Sequence, residues 1–292
     1  MNSRTRTRSQ KSAYLYILPA LSASLLFVGF PLAQTMWYSL HRWDGLSTPI
    51  WVGFDNYIEQ VMSPRVQAAL LHSIVFIFFF ALLPVCIGLI SASLLSTKRL
   101  RGLGFFRTVL FLPQVIALTV TGMAWRWMYN LNGPINEILA SIGLGDLARP
   151  WLGDFDWALP AVGFVGTWIV FGFCMILFLS GIARIDPGLY DAAKIDGSGP
   201  IQEFFAVTLP GVKPELGVAL TITIIGGLRS FDIVYMTTRG GPGTATTVPA
   251  LEIYQQAFVD GTVGSAASIA VMLVAMIMVA ALVLRRIFRT EQ

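Results

Sequence analysis

Most of the residues in this chain whose types and spacing point to chemistry lie in one polar stretch. Asp191-Ala192-Ala193-Lys194-Ile195-Asp196-Gly197-Ser198 is followed by Phe204, Val207, Leu209 and Pro210. At average residue usage, a chance match to this whole pattern lies below roughly one in a million. Asp186 ahead of Pro187 suits a helix N-cap with proline at the first helical position. Leu189, Ala192 and Ala193 then share one helical face at i, i+3, i+4 spacing. Gly197 offers the permissive backbone of a helix stop. A second short helix is expected from Pro200, with Ile201, Phe204 and Phe205 on its apolar face, until Leu209-Pro210 breaks it. The segment 186–212 therefore reads as two short helices joined by a glycine turn, with alanines that let another surface approach closely. Asp191 and Asp196 resist burial unless they are paired or capping. The chemistry on offer is docking, against the plainer alternative of a solvated loop with ordinary caps.

Bond-making chemistry is poorly provided for. The two cysteines, Cys86 and Cys174, sit inside apolar runs and read as small buried hydrophobes; their spacing suits neither a disulfide nor a metal site. His41 and His72 are the only histidines and build no metal constellation. No Gly-x-x-x-x-Gly-Lys-Ser/Thr phosphate loop occurs, so no nucleotide is expected to bind this chain. No nucleophile–base set survives the topology described next.

The elements that carry the segment 186–212 are long apolar runs. Apolar residues make up 55% of the chain and charged ones 12%, where soluble proteins hold about 25% charged. Mean hydropathy is +0.69. Six membrane-spanning helices are expected at 13–40, 67–96, 106–129, 159–183, 215–238 and 263–287. The basic start, Arg4, Arg6, Arg8 and Lys11, imitates a secretory signal, but the apolar run that follows is too long for a cleaved one. An uncleaved first span is expected. The net charge of +4 reflects membrane topology rather than nucleic-acid binding.

Orientation follows from the basic residues. With the N-terminus inside, Arg4, Arg6, Arg8, Lys11, Lys98, Arg99, Arg101, Arg107, Arg184, Lys194, Lys213, Arg285, Arg286 and Arg289 fall on the cytoplasmic side. Only Arg42, Arg65, Arg126, Arg149, Arg229 and Arg239 fall outside. Both termini and the Asp191 segment are then cytoplasmic. Trp37, Trp43, Trp51, Trp125, Trp127, Trp151 and Trp157 form an outer interfacial belt.

The Asp191 segment, with its attached Phe204, Val207 and Leu209-Pro210, resembles the cytoplasmic "EAA" loop of ABC-importer permeases; Asp191 stands where that family has Glu, and Ser198 where it has Ala. Tyr14-Leu15-Tyr16-Ile17-Leu18-Pro19-Ala20 with Phe30-Pro31, Val52-Gly53-Phe54-Asp55-Asn56-Tyr57, Phe106-Arg107 with Phe111-Leu112-Pro113, Phe231-Asp232-Ile233-Val234-Tyr235, and Thr238-Arg239-Gly240-Gly241-Pro242 are similar to the carbohydrate, maltose-permease-type branch. The resemblance spans essentially the whole chain. It implies an all-α membrane protein of the type I importer permease fold, one permease domain over 1–292, working by alternating access. It also implies partners: a second related permease, a cytoplasmic ATPase dimer that binds the ATP and Mg, an extracytoplasmic solute-binding protein, and membrane lipid, with no nucleic acid. The membrane implied is the cell (inner) membrane of a bacterium or archaeon. Asp191, Ala192, Ala193, Asp196, Gly197, Ser198, Phe204 and Pro210 are the implied ATPase-coupling residues.

The same resemblance puts a substrate path near Gln114, Leu118, Ile169, Val170, Phe173, Thr223, Gly227 and Ser230. Gln114, Thr223 and Ser230 are the hydroxyl-binding candidates, against helix packing with polar residues as interhelical glue. Arg229 and Asp232, three apart on the expected fifth helix, are functional candidates as intramembrane charges. They either pair with each other or leave Arg229 to meet an anionic solute. A sugar or oligosaccharide is the implied cargo, with glycerol 3-phosphate or its diesters as the alternative. A non-transport scaffold and an integral-membrane enzyme are the readings from other classes; a scaffold has no need of an ATPase dock.

Overall fold

The computed structural model describes residues 16–96 and 102–288. Arg4, Arg6, Arg8, Lys11, Lys98, Arg99, Arg101 and Arg289 of the charge argument lie outside the described residues, as does the start of the expected span 13–40.

The elements are almost all helical. α1 runs Tyr16–Tyr38. A two-stranded antiparallel ribbon follows, β1 His41–Arg42 and β2 Ile50–Trp51, with His41 opposite Trp51. Asp44 closes its connection by accepting from Leu46 N, Ser47 N and Ser47 Oγ at 2.7–2.9 Å. Those bonds, led by the one from the Ser47 backbone, hold its carboxyl down at about 2. Next come α2 Asp55–Met62, α3 Pro64–Ser96, α4 Leu103–Val115, α5 Leu118–Met128 and α6 Pro134–Ser141. The second half contains α7 Ala158–Ile182, α8 Pro187–Ile195, α9 Pro200–Gly211, α10 Lys213–Leu228, α11 Asp232–Thr237, α12 Pro249–Phe258 and α13 Val263–Ile287.

Four helices, α1, α3, α7 and α13, are long and apolar enough to cross a membrane, and the bent pairs α4–α5 and α9–α10 raise the number to six. Two expected spans need correction. The run 106–129 is not one helix, since α4 and α5 meet at 96°. Pro113 has no N–H for the preceding turn, and Ile116 and Ala117 take ψ of 135° and 133°. The run 215–238 stops at Leu228. α10 has 16 residues, a rise of about 24 Å, short of the ~30 Å hydrocarbon core. Its apolar character continues backward into α9 across a 71° bend.

The chain forms two compact units, one holding residues up to Val61 with Ile253–Met272, the other Met62–Glu252 with the residues from Leu273 on. In the first, Asn56 Nδ2 donates to the carbonyls of Ser39 and His41 at 2.8 and 2.9 Å. Gln256 Nε2 donates to Gln60 Oε1 at 2.9 Å. α1 buries no side chain.

In the second unit α7 is the central post. Val85, Leu89 and Ala92 of α3 pack with Cys174, Met175, Phe178 and Ile182 of α7 and Ala219 of α10. The helices approach through small residues, as membrane bundles do. A Cβ on Gly88 would stand 2.7 Å from Cys174 Cβ, and one on Gly172 would strike the Leu110 carbonyl. Cys174 is buried as expected. Cys86 is not: it is exposed among exposed Leu82, Ile87 and Ile90.

Candidate functional site: the segment 186–212 and the helices it joins

The expected two-helix knob is present. Asp186 caps α8, its Oδ1 accepting from Gly188 N at 2.9 Å, with Pro187 at the first helical position. Gly197 ends α8 at φ +81°. The ending is a Schellman turn, in which Gly197 N donates to Lys194 O at 3.0 Å and Ser198 N to Ala193 O at 2.9 Å. Gln202 Oε1 accepts from Gly199 N at 2.9 Å and starts α9. Tyr190 Oη and Thr208 Oγ1 share a hydrogen bond of 3.0 Å that joins α8 to α9. Lys194 Nζ stands 4.0 Å from Asp191 Oδ1, an exposed pair of small energetic value, and 3.9 Å from Glu203 Oε1, whose side chain is largely buried.

Two local expectations change. Leu209-Pro210 does not break α9, which continues to Gly211. A π turn at Phe204–Thr208, with Leu209 N bonded to Phe204 O, shifts the hydrogen-bond register just ahead of the proline. Ala193 is buried within the chain rather than presented outward, whereas Asp191, Ala192, Asp196 and Gly197 are exposed and Ser198 is half-buried. Pro210 is exposed and Phe204 half-buried. The outward apolar side chains are Leu189, Ile201 and Phe205, as expected, joined by Ile195, with Ile195 86% and Ile201 74% exposed.

The base of the knob is tied by a pair the sequence reading did not find. Arg184, just past α7, donates through Nη2 to Glu215 Oε1 in the first turn of α10. Glu215 is buried while the Arg184 side chain is 71% exposed. A carboxylate in the first turn of α10 also suits that helix's dipole. The pair joins the end of α7 to the start of α10, the two helix ends between which 186–212 is strung.

The expected substrate path is divided. Ile169, Thr223, Gly227 and Ser230 are buried, Val170 and Phe173 half-buried, Gln114 and Leu118 exposed. Gly227 packs under Phe80, with 3.2 Å from a built Cβ to Phe80 Cβ, and Thr223 Oγ1 is 3.4 Å from Leu220 O. These two serve helix packing. Ser230 Oγ and Thr121 Oγ1 are buried and make no hydrogen bond among the described residues. They belong to neighbouring elements, the α10–α11 break and α5, and α5 packs against α11 with a Cβ built on Gly122 only 2.5 Å from Met236 Cβ. An unsatisfied buried hydroxyl costs about 1–3 kcal/mol. Arg229 and Asp232 do not share a helix: Arg229 caps the end of α10 and Asp232 opens α11. Both are exposed, and no ion pair joins them among the described residues.

Residues 137–290, which include the knob and both helices it joins, match the family model described as "binding-protein-dependent transport system inner membrane component". The chain belongs to this family. The probable ABC transporter permease YurN of Bacillus subtilis is 36% identical over 280 residues, covering 95% of this chain and 96% of that protein. The trehalose/maltose transport system permease MalF of Thermococcus litoralis is 35% identical, covering 92% and 91%. A bacterial ABC transporter structure involved in import of the acidic polysaccharide alginate superposes with a TM-score of 0.83 at 21% identity, covering 98% of this chain and 99% of that one. The fold is thus the type I ABC-importer permease fold. As a member of this family the chain is a membrane-embedded, non-catalytic transport subunit whose ATPase is a separate protein. Within the permease, Glu215 was legible only as an acid after Pro214; its partner lies 31 residues away. Thr121 gave no signal at all, being one of two threonines in a largely apolar helix.

Proposed function

We propose that this permease carries a sugar or oligosaccharide across the cell (inner) membrane of a bacterium or archaeon, with both termini and 186–212 in the cytoplasm. The segment seats in an ATPase pair that binds ATP and Mg. A second related permease completes the path, a solute-binding protein delivers cargo on the outer side, and residues 1–292 act as one permease domain. The observation that carries this reading is the outward apolar face of the knob, Leu189, Ile195, Ile201 and Phe205, held between caps and a tied base. Exposed apolar clusters of this kind are docking surfaces. Closure of the ATPases on ATP displaces the knob, the Arg184–Glu215 tie carries the displacement into α7 and α10, and the helices tilt to alternate access. Ser230 and Thr121 are the hydroxyls that a passing solute satisfies.

An exposed Arg229 with no ion-pair partner among the described residues favours a second reading, an anionic cargo such as a glycerol phosphate or diester. One experiment separates the two. Proteoliposomes holding this permease, its companion, the ATPase pair and the binding protein should take up solute only with ATP. Arg229→Gln should lower uptake of an anionic solute about tenfold, the worth of one charged hydrogen bond, if the cargo is anionic. Uptake of a neutral sugar should be unchanged if it is not. Folded yield should stay normal in either case, because an exposed charge is not stranded by losing a neighbour. Uptake without ATP would contradict both readings.

A further inference from the structure

We propose that an aromatic pocket bounded by α3, α5, α6 and α7 holds one acyl chain of a glycerophospholipid, with the lipid phosphate paired to Arg149. The cavity measures about 560 Å³ and is lined by Phe79, Trp125, Trp151, Trp157, Pro160 and Phe164, among others. Two of its aromatics, Tyr129 and Trp151, have their polar tips engaged by the protein. Tyr129 Oη donates to Ala161 O at 3.2 Å, and Trp151 Nε1 donates to Asn136 Oδ1 at 2.8 Å. The wall left facing the cavity is apolar. A saccharide there would bury hydroxyls without partners, which excludes the cargo as occupant; a hydrocarbon chain meets no such penalty.

The rim supplies the other half of a lipid. The Arg149 guanidinium lies 5.4 Å from the Trp151 ring centre and 4.9 Å from that of Trp157. Its position is fixed: Nε donates to Leu147 O at 3.1 Å, and Asn136 Nδ2 donates to Arg149 O at 2.9 Å. No carboxylate pairs with Arg149 among the described residues. Asp154, three residues before Trp157, is engaged as a local cap, its Oδ1 accepting from Asp156 N and Trp157 N. Depth agrees with this division. Trp151 and Trp157 precede the start of α7 at Ala158, the level at which tryptophans mark the membrane boundary. Phe164 lies six residues further along the helix, about 9 Å deeper. A phospholipid in the surrounding membrane places an anionic group at the tryptophan level and an apolar tail running inward, which matches this division.

The inference rests on the membrane placement that family membership gives, and not on the cargo. Its test is native mass spectrometry of the full importer complex, purified in detergent, stripped of loosely held lipid and titrated with dioleoyl phosphatidylglycerol. Dioleoyl phosphatidylethanolamine, oleate and inorganic phosphate are the parallel arms. One phospholipid should be retained by the wild type, Arg149→Gln should weaken its retention at least fivefold, and Ile135→Trp, which enlarges a lining side chain contributed by α6 so that it fills the pocket, should abolish it. Thermal unfolding checks that each variant is folded. Oleate, whose carboxylate can meet the same guanidinium but which brings one chain and no glycerol backbone, should bind more weakly than phospholipid, and phosphate alone should not be retained. Equal phospholipid retention in wild type and both variants, or oleate retained as tightly as phospholipid, would overturn the proposal. Transport assays on the same complex report on the importer reading separately.

Discussion

Gly197→Val should abolish transport in an assembled complex while leaving the permease inserted and folded. Gly197 holds φ +81° and a Cβ there meets nothing within 4 Å, so the substitution acts through the backbone alone. Left-handed geometry costs an L-residue about 1–2 kcal/mol, and a β-branched side chain fares worst. Relieving that strain breaks the Ser198 N to Ala193 O bond and re-aims α9 against α8. Gly197→Asn, which tolerates the left-handed region, should keep much of the activity, and that contrast separates turn geometry from side-chain volume. Uptake should fall at least tenfold in the valine variant, with ATP turnover no longer stimulated by the binding protein. Volume at the docking face is tested at Ala192, which is exposed, and not at Ala193, which is buried in the knob's own packing. Ala192→Trp should uncouple the complex; Ala193→Trp should instead unfold the knob.

Gly172→Leu should sharply reduce the yield of folded permease. The position lies on α7 where α4 crosses, and any Cβ strikes the carbonyl of Leu110. The obstacle is backbone, so no rotamer change relieves it, and overpacking of this kind costs about 1–3 kcal/mol or more. Gly226→Leu on α10 is the control, since a Cβ there meets nothing within 4 Å. Size-exclusion profiles and denaturant midpoints should show a large loss at Gly172 and little at Gly226. Equal behaviour of the two variants would mean that α4 does not pack on α7 as described.

The parts legible in the sequence were those set by local rules. Asp186-Pro187 and Gly197 announced a capped helix with a left-handed stop, and both features are present. Apolar runs located α1, α3, α7 and α13 to within a few residues. Hydropathy failed where apolar character continues through a change of direction. Nothing in the averages at Ile116-Ala117 separates α4 from α5, and the run after Leu228 hides the break that separates Arg229 from Asp232. Pro210 was misread for a different reason: a π turn five residues long shifts the hydrogen-bond register ahead of it, and one-residue rules do not contain that option. The inward turn of Ala193, the Arg184–Glu215 tie and the aromatic pocket all depend on residues distant in sequence, so tertiary packing alone decides them.

The most direct test of the central claim is a crosslink. In a background without Cys86 and Cys174, Ile195→Cys is paired with single cysteines along the cleft of the ATPase subunit in the reconstituted, transporting complex. A short bifunctional reagent should join the two chains at high yield, and the yield should change when a non-hydrolysable ATP analogue is added. A transporting complex in which Ile195→Cys reaches no ATPase position, or is labelled only from the opposite side of the membrane, would contradict the account.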